Sequence, residues 1–552
     1  MRSGLLAGLS WRNAATEVVA GVTLLAIAVP LNIGYAQIAG LPPTAGLYAL
    51  VLPAIVYALV VSSRQVVASP DAAAAALVAS SVGGLAIAGS ANYLTMALAQ
   101  AIISGALFVL AAVFKLGFLA NFLSKPILVG FVGGLALDIL VSQLAKMLGI
   151  KIDSGGEFTD KVAGLVAGLP TLNGWSVLIA AASVVVLLLG RRIARAVPWA
   201  LVVLIVATVV VVTTSLELHG VSVLGPVDAG PPNFTWPILG WGTWLALVPS
   251  AIALTMVTMA EGLLVARSYG EKRGYNTSPN RDLFAFGLAN VASGATGGFA
   301  VGSSTSRTAA MDQAGSRTQL PSLVAAAGTL LLLLFGTGLL EHIPSPAIGA
   351  IVGVAILPML GIADFRQLWR QDRFEFAVGA VCFLVTLFVG AIPGIGVAFV
   401  LALINLAKRA SAPAIDVLAT NGEPDSSLLN PAVAGTATAP GVVVIRIAAP
   451  LFFANASVFA DAVKHAVTSA PDVRHVVLDL EAVTDIDVTG AEAFESLKSW
   501  LAAQPVTVSF SRPRQQIIER MHALELLDDE TVYPTNRAAI AALATTKKEQ
   551  PQ

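Results

Sequence analysis

The chain has 552 residues, 56% of them hydrophobic and only 12% charged. That is about half the charged fraction of a soluble domain, so a water-soluble enzyme spread over the whole length is excluded. A net charge of −1, from 32 Lys+Arg against 33 Asp+Glu, gives no excess of positive charge for a nucleic-acid partner, and a single cysteine, Cys382, can form neither an intrachain disulfide nor a thiolate metal cluster.

A mean hydropathy of +0.81 leaves a multispanning membrane protein as the expected class. In chain order, apolar runs of roughly 20 residues, the length that crosses a hydrocarbon core, are predicted near 14–38, 43–62, 70–88, 93–114, 127–149, 174–190, 196–215, 242–266, 282–300, 306–318, 320–340, 344–361, 374–391 and 393–408. The first is not a signal peptide, because the stretch from Val18 contains Pro30 and runs into further spans without a cleavage site. With about fourteen spans and the N-terminus in the cytoplasm, eighteen Lys and Arg residues, from Arg2 and Arg12 to Lys408 and Arg409, fall in inside loops. Only Lys146, Lys151 and Lys161 fall outside. Both termini are therefore expected in the cytoplasm.

Two of these spans are unusual. The third, SSRQVVASPDAAAAALVAS from Ser62, and the tenth, GGFAVGSSTSRTAAMDQAG from Gly297, each read as a short extended stretch followed by a helix that begins within the membrane. In the third, Ser69 is the expected N-cap, with Pro70 at the first helical position. In the tenth, Ser303, Ser304, Thr305 and Ser306 crowd the helix start. They occupy the same place in two halves of seven spans, which is the sequence signature of a midplane binding site in a transporter. Helix N-termini in a low-dielectric region favour an anion.

Ionisable side chains inside spans are functional candidates by default, since each costs about 2.5–3.5 kcal/mol to insert. They are Asp71, Asp138, Glu261, Arg307 and Asp312. Arg307, one position after Ser306, is the only deep cation, and reads either as a contact for an anion or as a counter-ion to Glu261 or Asp71. Glu261, after a small and polar run, is either a proton carrier or a packed, hydrogen-bonded carboxyl. Asp138 and Asp312 read as packing groups.

Residues 1–410 form the expected transmembrane domain and 411–440, rich in Pro, Gly, Ser, Ala and Thr, the expected linker. Residues 441–545 alternate strand and helix patterns, with strands at VVIRI, His475–Leu480 and VTVSF, as in a small cytoplasmic α/β domain; 546–552 reads as a disordered tail. This domain shows no nucleophile–base pair, phosphate loop or metal spacing, so neither an enzyme nor a cofactor is expected.

The opening from Gly21, GVTLLAIAVPLNIGYAQIAGLPPTAGLYALVLPAIVYALVVSSRQVVASPDAAAA, resembles the start of the sulfate permease (SulP) family of anion transporters. SRTAAMDQAGSRTQL from Ser306 resembles that family's tenth-span motif, and Val443–Val463 resembles the start of its cytoplasmic STAS domain. Together they cover nearly the whole chain in the family's order. The resemblance implies a uracil-permease-like fold of two inverted seven-span repeats, a core domain moving against a gate domain, and a homodimer. It implies an anion held between the third and tenth spans, at Asp71, Ala72, Thr305, Ser306 and Arg307, with Leu31 and Tyr35 from the first span and a carboxylate position at Glu261. The sequence departs from the family at Leu31, where sulfate carriers often have Gln, and at Ser69, where Gly is usual. Asp71 is acidic where an anion approaches. In related STAS domains a Ser or Thr of the Asp-x-Ser/Thr-Gly loop can be phosphorylated; here the match is Asp487, Thr489 and Gly490, and the alternative is that Thr489 only caps the following helix.

The function expected from these features is secondary transport of a small anion (C4-dicarboxylate, sulfate or bicarbonate) in a bacterial cytoplasmic membrane, by an elevator-like cycle coupled to protons. Ser69 to Ala72, Ser306 and Arg307 are the expected anion site, with Glu261 and Asp71 as coupling groups. The alternatives are a sodium-coupled bicarbonate carrier, a nucleobase carrier of the same fold, and a membrane-anchored signalling protein. In the last, the STAS domain acts through a cytoplasmic protein partner.

Overall fold

The structure, a computed structural model, describes residue 9 and residues 13–87, 89–118, 124–152, 156–194, 197–420, 431–433, 435–470, 472–527 and 530–544. Arg2, Arg12, Arg195 and the tail 546–552 lie outside the described residues. The chain divides into two compact units, Met1–Ala402 and Leu403–Gln552.

The first unit opens with helices α1 (Ala14–Ile38), α2 (Pro43–Tyr48) and α3 (Leu52–Val60), then the two-residue strand β1 (Ala68–Ser69) and α4 (Ala72–Val82). It continues through α5 (Ala91–Val113), α6 (Lys125–Leu148), α7 (Phe158–Gly168), α8 (Gly174–Ile193), α9 (Trp199–Thr214), α10 (Trp241–Arg273) and α11 (Pro279–Ala295). A second short strand, β2 (Gly302–Ser303), leads into α12 (Thr305–Gln313), followed by α13 (Leu320–Phe335), α14 (Ser345–Ile356), α15 (Ile362–Gln371), α16 (Arg373–Phe388) and α17 (Ala391–Ser411). The run WALVVLIVATVVVVTT is rich in β-branched residues yet forms α9. In hydrocarbon a helix satisfies every backbone group within the segment, and this outweighs intrinsic preference.

Among the described residues six segments are long and apolar enough to cross a membrane, or seven if the bent pair Phe158–Thr171 and Gly174–Gly190 counts as one span. Other predicted spans hold shorter apolar helices, among them α4, α9 and α13. The structure differs from expectation in two connections: residues 150–173 and 362–373, left between the predicted spans, contain α7 and α15. Both helices are short and carry charges (Asp160 and Lys161; Asp364, Arg366 and Arg370), which hides them from a search for apolar runs.

The helices pack as two groups. α5 lies against α10 and α11, α11 against α3, and α13 against α1 and α3. Separately, α6 packs on α14 and α16, and α8 on α9 and α14. Small residues allow close crossings: a Cβ on Gly105 of α5 meets the Gly287 carbonyl oxygen of α11 at 2.7 Å, a spacing no side chain tolerates. The groups meet where α1 touches α9 and α14, and where α4 touches α6.

The second unit is an α/β layer. Strands β3 (Ile415–Val417), β4 (Val442–Ile447), β5 (His475–Asp479), β6 (Thr507–Ser511) and β7 (Val532–Tyr533) lie in that order in one sheet. Only β3 runs antiparallel to its neighbour. Between and after them come α18 (Ala456–Ser469), α19 (Val488–Ala503), α20 (Gln515–Ala523) and α21 (Asn536–Leu543). Val443, Ile445, Val476, Leu478 and Phe510 face a core shared with Phe459, Phe494 and Leu497, while Val442, Val444 and Val477 pack on Ala539 on the other side. Burial of both faces explains the continuous Val/Ile runs of β4 and β5. The sheet begins earlier than expected: 415–417, read as linker, pairs with 445–447 as an edge strand.

Candidate functional site

The two breaks in the helical pattern come together. Pro70 has no N–H and fixes its own φ, and the chain ahead of it is extended at Ala68–Ser69. β1 pairs antiparallel with β2, Ala68 opposite Ser303 and Ser69 opposite Gly302. The Ser304 N–H extends this ladder to the Val67 carbonyl at 3.0 Å, and the Val67 N–H donates to Thr308 Oγ1 at 3.1 Å.

Each strand feeds a short helix. At about 1.5 Å per residue the 11 residues of α4 and the 9 of α12 cover only part of a hydrocarbon core about 30 Å thick. Neither is long enough to span it alone. The N-cap of α4 is not Ser69, as expected, but Asp71, whose Oδ1 accepts the Ala74 N–H at 2.7 Å. A carboxylate in extended conformation three residues before that amide makes a charge-assisted cap, while Ser69 is taken up by the ladder. Ser304 caps α12, its hydroxyl accepting the Arg307 N–H at 3.4 Å.

Around this crossing the polar atoms are only partly satisfied. Arg307 is 1% exposed. Its Nη2 donates to the Pro70 carbonyl and its guanidinium carbon lies 5.6 Å from the centre of the Tyr35 ring. Its Nε and Nη1 have no partner, nor have the Ser69 and Ser303 hydroxyls. Among the described residues Arg307 makes no ion pair with Asp71 or Glu261, so the counter-ion role is not seen at contact distance. Tyr35 and Leu31 are buried one turn apart on α1, and Ala72 is buried at the start of α4. Thr305 and Ser306 are exposed although Ser304 and Arg307 on either side are buried.

The carboxylates are close by. Asp71 Oδ2 stands over Gly302, where a Cβ would be 2.5 Å away, with Thr258 Cγ2 at 3.1 Å. Thr258 is on α10, which packs against both α4 and β2. Glu261 lies one turn further along α10, partly buried and with no hydrogen bond or ion pair among the described residues. Gly302 and Thr308 were not singled out in the sequence; a glycine between an extended stretch and a serine-rich helix start was the available signal. Asp138 and Asp312 lie elsewhere. Asp312 is held by Lys272 at 2.8 Å and by Arg273 Nε at 2.8 Å, and Asp138 by Lys161 at 2.8 Å.

In the second unit, Thr489 is exposed in the first turn of α19 and does not cap it. The cap is Asp487, whose Oδ1 accepts the Gly490 N–H at 2.6 Å; a carboxylate is the stronger acceptor and the helix starts two residues before Gly490.

Broken helices meeting inside a bundle of apolar helices, joined in one chain to a small α/β domain, define a multispanning helical membrane protein with an α/β accessory domain. A family model described as the sulfate permease family matches residues 15–382, and one described as the STAS domain matches 435–539. The chain belongs to the sulfate permease family. It is 33% identical over 541 residues, 95% of this chain and 94% of the relative, to a Mycobacterium tuberculosis protein named "Probable sulfate transporter". It is 27% identical to "Sulfate transporter 3.1" of Arabidopsis thaliana, with 93% and 82% covered. Among solved structures, the murine Slc26a9 anion transporter in the inward-facing state superposes with a TM-score of 0.88 at 21% identity, over 97% of this chain and 92% of that one. The transmembrane domain of a cyanobacterium bicarbonate transporter gives 0.62 at 22% identity, over 72% and 98%. At these identities the structures speak for the fold alone.

Proposed function

We propose that the protein is a secondary transporter of a small oxyanion, with sulfate the first to be tried and bicarbonate and C4-dicarboxylate as the other candidates. The observation that carries this reading is Arg307, buried beside two helix N-termini with its Nε and Nη1 unpaired. A desolvated guanidinium with no carboxylate at contact distance is costly, and an anion between the two N-termini reduces that cost. Its ligands are then Arg307, the hydroxyls of Ser69, Thr305 and Ser306, and the free amides at the start of α4 and α12, including Ala72. Leu31 and Tyr35 form the apolar wall. The names of the relatives support sulfate.

Asp71 and Glu261 are the proposed coupling groups. A bound anion beside two carboxylates is repelled unless one takes up a proton, and that requirement links anion entry to proton entry. The helix grouping supports an elevator-like cycle in which α1, α4, α10 and α12, as part of a core domain, move against α6, α8, α9, α14 and α16. On this reading the fourteen spans form two inverted halves, the termini face the cytoplasm of a bacterial cell, and Thr489 belongs to a regulatory surface.

Purified protein in proteoliposomes is expected to accumulate labelled sulfate under an inward proton gradient. Absence of uptake of sulfate, bicarbonate and dicarboxylates under proton and sodium gradients alike rejects the reading. Glu261→Gln is expected to flatten the pH dependence of uptake; an unchanged profile removes Glu261 from the coupling.

A further inference from the structure

A small cavity with both polar and apolar walls lies where the two helix groups face each other, between α1 and α4 on one side and α6 and α7 on the other. Gln37, Asp138, Ser142, Gln143, Lys146 and Lys161 line it. Its charges do not balance. Lys161 Nζ is bonded to both oxygens of Asp138, at 3.0 and 2.8 Å, which neutralises that pair. Lys146 Nζ meets only the neutral Gln37 Oε1, at 3.0 Å. Gln143 is wholly buried, and neither its amide nitrogen nor its oxygen has a partner. An ammonium carries three donors and an amide two, so the cavity holds one uncompensated positive charge and several unused N–H groups.

We propose that this cavity is a second anion site, a staging point for the cargo between the broken helices and the outer face. The inference rests on the anion-transport reading above and on its orientation, which puts Lys146 and Lys161 toward the outside. In this conformation the space is about 10 Å³, enough for roughly one water, so the site is shut. Because its walls come from both helix groups, movement of α1 and α4 against α6 and α7 opens it. Lys146 and Gln143 then offer a cation and an amide to an oxyanion, while Asp138 keeps Lys161 from over-binding it. An unpaired buried amide is costly as a purely structural feature, which is the reason to assign Gln143 to an occupant.

The test is the kinetics of sulfate uptake by the full chain in proteoliposomes. Lys146→Met is expected to raise the KM for sulfate about tenfold with Vmax within about twofold, the size expected when a charged hydrogen bond is lost. Gln143→Leu is expected to raise KM about threefold, and Lys146→Arg to keep it near the unsubstituted value. An unchanged KM in Lys146→Met and Gln143→Leu overturns the proposal. A lowered Vmax with a lowered melting temperature and unchanged KM also overturns it, by assigning both residues to packing. If the unsubstituted protein moves no anion, the transport reading itself fails and this site falls with it.

Discussion

The two units treat buried polar groups differently. Among the described residues of the second unit, no buried side-chain nitrogen or oxygen is left unpaired. Asp479, fully buried in the sheet, receives the Arg446 Nε at 2.8 Å and the Asn536 Nδ2 at 2.9 Å. Ser511 in turn donates to Asn536 Oδ1 at 2.5 Å. The first unit leaves several such atoms without partners. Asn32, Tyr57, Gln100, Gln143, Ser176, Asp282 and Thr386 are spread through it, but Ser69, Ser303 and Arg307 gather at the crossing of the broken helices. A satisfied network holds a fold together. Unsatisfied atoms collected at one point mark polar capacity that the fold itself leaves unused.

Mutations can break this contrast. The largest effect is expected in the satisfied network: Asp479→Ala strands Arg446 and Asn536 and should cost the second unit about 3–5 kcal/mol. Calorimetry of the full chain in detergent reads this as an early transition of that unit, and a shift below about 1 kcal/mol would show the network to be dispensable. At the crossing the sign for stability should reverse. Arg307→Ala removes a buried cation that has no carboxylate at contact distance, so the melting temperature is expected to hold or rise, while sulfate uptake falls about 100-fold, the scale of truncating one partner of a buried charged pair. Uptake that keeps its affinity would place the cation outside the site. The smallest effect separates two neighbours in α19. Asp487→Ala should cost about 1 kcal/mol as a lost cap, and Thr489→Ala less than about 0.5 kcal/mol. Comparable losses would give Thr489 a structural role it lacks in the fold.

What the sequence disclosed and what it withheld follow from the range of the interactions. Apolar length marked the long helices, and Pro70 and the serine cluster before Arg307 marked the two breaks, because these are local properties of backbone and solvent. The pairing of Ala68 with Ser303 joins residues from opposite halves of the unit, and no local pattern announces it. Caps were legible as regions but not as residues. Ser, Thr and Asp are near-equal acceptors at a helix start, so Ser69 and Thr489 were favoured where Asp71 and Asp487 do the capping. β3 escaped because three residues at a sheet edge, within a Pro- and Ser-rich stretch, carry little periodic signal. Arg307 was legible as a candidate, since a lone cation within an apolar span has few readings, but the absence of a carboxylate at contact distance needed coordinates.

The two-residue ladder between β1 and β2 has a further consequence. Because its hydrogen bonds tie the lips of the cradle directly to one another, the gap between the helix starts is a fixed gauge. In the proposed elevator-like cycle it would move as one piece. An anion would then be measured against the same aperture on both faces of the membrane, so discrimination by size should be identical for entry and exit, and any directionality must come from the gradients.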